Sequence, residues 1–197
     1  INMSEKINLT IILGSVRIGR FGEWPAKMIK EVAEKMEGFE VSFIDLKEEN
    51  LPNFESAVSP AYITNKDYGN EKINSFADKI RGADAFVMIS PEYNHGYSSA
   101  IKNAIDSIYI EWNNKPVGFL SYGSAGGARA VEQLREVAVE LQMAPIRNGV
   151  HIMSPWNLTD ESGNLKSGAL DDYEKPMKNM LEQLSWWARA LKTARNS

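Results

Sequence analysis

The sequence predicts an α/β fold: an open, five-stranded parallel sheet of order 2-1-3-4-5, covered by helices on both faces in three layers. Three observations predict it. Short apolar runs alternate with stretches of helical periodicity, strand then helix, five times over. The strand runs carry apolar residues toward both faces, as strands of a covered parallel sheet do. No linker or internal repeat breaks the 197 residues, a length sufficient to bury such a sheet. Crossovers between parallel strands are right-handed, which selects the doubly wound order.

The elements follow in turn. Ile7 to Leu13 is apolar and β-branched and stops at Gly14, the first strand. From Glu23 to Met36, residues Ala26, Ile29, Val32, Ala33 and Met36 recur at helical spacing, and Gly38 ends that helix. Phe39 to Asp45 is the second strand. Lys47 to Gly69 is polar and too long for an ordinary connection, a candidate functional loop. Ile73, Phe76, Ala77 and Ile80 mark a helix, and Ala85 to Ile89 a third strand. Ala100 to Ile108 is helical, with Ile101, Ala104, Ile105 and Ile108 on one face. Pro116 to Tyr122, Ala128 to Gln142 and Ile146 to Ile152 give strand, helix and strand. After an irregular stretch through Gly163 and Gly168, a helix from Asp171 to Ala194 closes the chain. Its Met177, Leu181, Leu184, Ala188 and Leu191 are expected on the sheet. Residues 3–195 read as one domain, and Ile1 and Asn2, ahead of Met3, read as an expression remnant.

Composition removes several function classes. The formal net charge is -4 with acids and bases interspersed, so no basic face offers itself to nucleic acid. No apolar run is long enough to span a bilayer and no signal peptide is visible, so the expected compartment is the cytoplasm. Cysteine is absent, which excludes disulfides, zinc-thiolate sites and thiol nucleophiles. His95 and His151 stand far apart and suggest no metal site.

In doubly wound sheets ligands sit beyond the carboxyl ends of the strands, where the strand order reverses. The loops after strands one, three and four are therefore the place to look. The first reads Gly14-Ser15-Val16-Arg17-Ile18-Gly19-Arg20-Phe21-Gly22 and leads into a helix. Glycines permit tight turning, and free N–H groups at the helix start favour an anion. Arg17 and Arg20 can add charge and forked hydrogen bonds to phosphate. It is not a P-loop, because Arg20 and Phe21 stand where Lys and Ser or Thr are required. Nor is it a dinucleotide fingerprint, because Ser15-Val16 breaks G-x-G-x-x-G. A monophosphate fits better than a triphosphate. Asp45 then reads as a helix or turn cap and not as a ribose ligand.

The loop after strand three is Ser90-Pro91-Glu92-Tyr93-Asn94-His95-Gly96-Tyr97-Ser98. Aromatic rings, an amide and an imidazole crowd one turn that can line a flat ring, and Ser98 or Ser99 is the expected cap of the following helix. The loop after strand four, Ser121-Tyr122-Gly123-Ser124-Ala125-Gly126-Gly127-Ala128, has three glycines in five positions, leaving its backbone open to a broad ligand.

Together with Ile101-Lys102-Asn103-Ala104-Ile105-Asp106 and Lys115-Pro116-Val117, these loops resemble the NADPH-dependent FMN reductase family, over the first strand to about Val150. That family includes FMN-dependent azoreductases, quinone reductases and chromate reductases. The resemblance implies a flavodoxin-like fold that holds FMN. It assigns the FMN phosphate to Ser15, Arg17 and Arg20, with Phe21 and Gly22 in the same loop. It sets Pro91, Glu92, Tyr93, Asn94 and His95 beside the isoalloxazine and ribityl chain, and Tyr122, Gly123, Ser124, Gly126 and Gly127 at the other edge. It further implies a homodimer or homotetramer formed at the helix Ala100 to Ile108. The chain departs from many members in Arg20, where they have Ser, and in Gly22, where they have a small polar residue.

The function expected is hydride transfer from NADPH or NADH through FMN to a small acceptor: free flavin, a quinone, an azo compound or a metal ion. The flavin carries the chemistry, and backbone N–H groups from Gly123 to Gly127 suit the negative charge that reduction places near its N1 and O2. No catalytic side chain is conspicuous; Tyr93 and His95 are the candidates to orient substrate or donate a proton. The alternative is a flavodoxin-type electron carrier, which the -4 charge does little to favour. Trp112 and the pair Trp186-Trp187 are expected in the core or at subunit contacts, Trp112 close to a neighbouring subunit's flavin.

Overall fold

The computed structural model describes residues 5–197, so the expected remnant, Ile1 and Asn2, lies outside the described residues. Five strands form one sheet of order β2-β1-β3-β4-β5: β1 (Ile7–Leu13), β2 (Phe39–Asp45), β3 (Ala85–Pro91), β4 (Pro116–Gly123) and β5 (Ala144–Met153). Every pairing is parallel, as the alternation of strands and helices requires. The fold is the flavodoxin-like three-layer sandwich that the sequence predicts.

Among the described residues six helices flank the strands: α1 (Glu23–Glu34), α2 (Leu46–Glu49), α3 (Glu71–Gly82), α4 (Ser99–Asp106), α5 (Ala128–Glu140) and α6 (Glu174–Arg195). Two apolar cores result, one on each face of the sheet. Leu9, Ile11, Val87 and Ile89 face α1 and α6, whereas Ile12, Phe86 and Met88 face the side of α3, α4 and α5. The strand period of two thus sends neighbouring apolar residues to opposite cores.

Side-chain caps set the helix starts. Asn70 accepts from the Lys72 and Ile73 amides at α3, Ser98 from Ile101 at α4, and Asp45 from Lys47 at α2. Asp45 is therefore a cap, as expected, and Ser98, not Ser99, caps α4. The stretch Lys47 to Gly69 is less irregular than it reads, since it holds most of α2 and a 3-10 turn at Pro60–Tyr62. Its middle is tied to α4, where Asn103 accepts from the Phe54 amide at 2.8 Å and donates to Pro52 O at 2.8 Å.

The tryptophans divide between core and surface. Trp112 is 1% exposed, its ring 5.1 Å from Phe86 and 6.1 Å from Phe76. It belongs to the core, one of the two places expected of it. Trp186 and Trp187, by contrast, are 66% and 37% exposed, turned away from the face that α6 packs on the sheet.

Candidate functional site

The three loops converge at the carboxyl edge of the sheet around a cleft of about 280 Å³. The first is rooted in the sheet. Gly14 N donates to Ile89 O at 2.9 Å, and Ser98 Oγ donates to Gly14 O at 2.5 Å. A Cβ on Gly14 would stand 2.2 Å from Ile101 Cδ1 and 2.8 Å from Ile89 O, so only glycine lets α4 pack so close. Ser15 is wholly buried, with its hydroxyl 2.8 Å from that of Tyr93. Arg17 is exposed, its guanidinium 5.8 Å from the centre of the Tyr93 ring. Among the described residues it meets no carboxylate, which leaves its charge free for an anion.

Arg20 lines the same cleft, but four of its five N–H donors are committed elsewhere. Both terminal nitrogens bond Asp45, Nη1 also donates to Ser15 O at 2.5 Å, and Nε donates to Glu23 at 2.9 Å. Burial works against its charge, and the bonds to Asp45 and Glu23 more than offset that, holding the guanidinium above its ordinary pKa. Beside the phosphate contact that the resemblance implies for it, these bonds make Arg20 a clamp joining the Ser15 carbonyl to the end of β2.

In the second loop Tyr93 and Gly96 exchange two backbone hydrogen bonds, of 2.8 and 3.0 Å. Asn94 and His95 between them are both left-handed, with φ of 50° and 68°, the conformation of a type I′ turn. That turn carries both side chains to an exposed tip, off the cleft wall. Pro91, Glu92 and Tyr93 stay on the wall. The buried Glu92 carboxylate faces α5, accepting from Arg129 N at 3.1 Å and pairing with Arg129 Nη1 at 3.2 Å. It therefore complements the first turn of α5.

From the third loop Tyr122 and Gly123 line the cleft. Tyr122 meets Phe21 edge-on at 5.3 Å, and burial pushes its phenol above the ordinary tyrosine range. Among the described residues its hydroxyl is buried and makes no hydrogen bond of good geometry. Ser124 is exposed, and Gly126 and Gly127 are buried beneath the loop with φ of 67° and 77°. Gly22 is also off the wall, packed against the Tyr122 hydroxyl. Beyond the three loops, Pro155, Trp156, Thr159 and Gly163 also line the cleft; none was assigned to the site from the sequence, though they belong to the irregular stretch through Gly163 and Gly168. They follow β5 at the same sheet edge, where Ser154 N hooks onto Gly123 O at 2.9 Å. An aromatic residue just past a strand's carboxyl end was the signal available.

The sequence profile described as NADPH-dependent FMN reductase matches residues 7–157. The chain belongs to this family. An NAD(P)H-dependent FMN reductase of Saccharomyces cerevisiae is 37% identical over 153 residues, 74% of this chain and 80% of the relative. One of Pseudomonas aeruginosa is 29% identical over 201 residues, 96% of this chain and all 100% of the relative. Among solved structures, the flavoenzyme NAD(P)H:(acceptor) oxidoreductase FerB of Paracoccus denitrificans superposes with a TM-score of 0.71 at 20% identity, over 93% of this chain and 98% of that one. As an FMN reductase the chain is an FMN-dependent NAD(P)H oxidoreductase.

The cleft fits that cofactor on its own features. A buried hydroxyl lacking a partner, Tyr122 Oη, is what a ligand oxygen would satisfy. A Cβ on Gly22 would stand 2.7 Å from that hydroxyl and displace it. The donor set, one free arginine beside a buried serine at a strand-to-helix turn, suits a monophosphate. Among the described residues no group of histidine or acidic side chains could hold a metal ion.

Proposed function

We propose that this chain passes hydride from NADPH or NADH, through FMN seated in the cleft, to a small acceptor such as a free flavin, a quinone, an azo compound or a metal ion. The observation that carries this is the convergence on one cleft of Ser15 and Arg17, the aromatic walls Phe21, Tyr93 and Trp156, and the glycine loop after β4. Bound FMN supplies the hydride chemistry; the chain binds it, orients it and excludes water.

Ser15 and Arg17 hold the FMN phosphate, and Arg20 holds the loop that presents them. Pro91, Glu92 and Tyr93 shape the wall for the ring and ribityl chain, and the Gly123 to Gly127 amides face the edge that gains charge on reduction. Asn94 and His95, at their exposed tip, act on what approaches the cleft. The chain works as one domain in the cytoplasm, as a homodimer or homotetramer, and takes neither nucleic acid nor membrane as partner. No described helix is long and apolar enough to cross a membrane.

The test is an anaerobic absorbance titration of the FMN-loaded protein with NADPH and then NADH. Direct two-electron bleaching is expected, faster with one donor. Tight FMN binding with no bleaching by either donor would return the electron-carrier reading. In parallel, Arg17→Ala should weaken FMN by roughly tenfold or more, about the worth of a charged hydrogen bond, and leave riboflavin affinity unchanged. Equal losses for both ligands would refute the phosphate assignment.

A further inference from the structure

We infer that His151 is a positioning residue for the flavin: through Ser121 it sets the shape of the glycine loop that faces FMN. The inference rests on the function proposed above and adds to it a residue at the far side of the loop. Ser121 Oγ is wholly buried at the end of β4, 2.6 Å from Gly126 O and 2.8 Å from His151 Nδ1. A hydroxyl has one proton, and a carbonyl only accepts. Ser121 therefore donates to Gly126 O and must accept from His151, which places the imidazole proton on Nδ1.

The consequence for the loop follows from peptide geometry. The Gly126–Gly127 peptide is planar and trans, so drawing its oxygen in toward Ser121 turns the Gly127 N–H to the opposite side. Among the described residues no acceptor meets the Gly127 N–H. Its direction is set by the far end of its own peptide. Gly126 leaves no slack, since a Cβ there would stand 3.0 Å from His151 Cβ. His151 thus fixes a donor that it does not itself touch.

The experiment has two arms. In the first, nitrogen-15 NMR of the FMN-free protein reads the tautomer of His151, one of two histidines in the chain. The Nδ1–H form is expected, and an Nε2–H form would overturn the donor assignment. In the second, the FMN potential and steady-state kinetics are compared for wild type, His151→Leu, His151→Asn and Ser121→Ala. His151→Leu and Ser121→Ala should weaken reduced FMN relative to oxidised FMN by about tenfold, equivalent to about 30 mV for a two-electron couple. Their kcat should fall while the KM for the acceptor holds. His151→Asn, whose side-chain amide can still donate, should restore most of both. Wild-type potential and kcat in His151→Leu would refute the inference. Failure of the wild type to bind FMN would remove the functional reading beneath it, and the tautomer in the free protein would tell the two failures apart.

Discussion

Replacing Asp45 by Asn tests the Arg20 clamp directly. The Arg20 side chain is 5% exposed and that of Asp45 15%, so the charge of the guanidinium is sustained by this pair. Asparagine keeps the size of the side chain and its ability to cap α2, and removes the charge together with one of the two oxygens that accept from Arg20. Breaking a buried pair from one side costs about 3–5 kcal/mol. Glu23, 60% exposed on the other edge of the guanidinium, retains part of the interaction, which points to the lower end of that range. With a urea m-value of about 2 kcal/mol per molar, a loss of about 3 kcal/mol lowers the unfolding midpoint by about 1.5 M. The assay is equilibrium urea unfolding followed by circular dichroism, without FMN. A double variant, Arg20→Met with Asp45→Leu, should recover most of the loss, because no charge then remains buried. A midpoint unchanged in Asp45→Asn would refute the reasoning. Arg20 would then not depend on Asp45, and a direct contact with phosphate would be the better account of it.

Three further outcomes follow from the same geometry. Burial, reinforced by Arg195, holds Lys115 down at about 8 from 10.5. Between those values the unfolded chain binds more protons, so stability should rise with pH across that window, by at most about 3 kcal/mol, and Lys115→Met should abolish the rise in urea midpoints. Gly127→Ala puts a Cβ 2.6 Å from Ser121 Cβ at a φ of 77°. It should cost more than about 2 kcal/mol in the same unfolding assay, and a neutral result would mean that the loop yields freely. Tyr122→Phe removes a buried hydroxyl without a partner. The free protein should change by less than about 1 kcal/mol, while FMN weakens by about tenfold in a fluorescence titration; unchanged FMN affinity would show that the hydroxyl meets no part of the cofactor.

The sheet was legible because burial on two faces leaves its mark on each strand separately. All of Ala85 to Pro91 is buried, and its sequence already shows no polar face. The loops were legible as a group for a related reason: Gly14, Gly126 and Gly127 stand where nothing larger fits, and glycine is visible at any distance from its neighbours. What escaped depends on pairs far apart in the chain. Arg20 reads as a free cation until the β1–β2 register sets Leu13 beside Asp45. Glu92 reads as a cleft carboxylate until β3 and β4 bring α5 to it, 37 residues on. His95 reads as a residue of the cleft wall until the turn at Tyr93 and Gly96 carries it to an exposed tip, an orientation set by two dihedral angles. Trp112 and Trp186 show the same limit from the other side, since the residue type is the same and only packing sends one inward and the other out.

The place of β1 has a bearing on how the chain comes together over time. It is made before the other four strands of its sheet and lies between two of them, bonded to β2 on one side and β3 on the other. When β1, α1 and β2 have left the ribosome, one edge of β1 stays bare until Ala85 to Pro91 arrive, about forty residues after the end of β2. The stretch from Lys47 to Gly69 lengthens that wait, during which an open apolar edge can pair with another chain. Gly14 closes onto Ile89 only after β3 docks, so the cofactor loop takes shape late. A ligand at that loop cannot start folding; it can only hold an assembly already three strands wide.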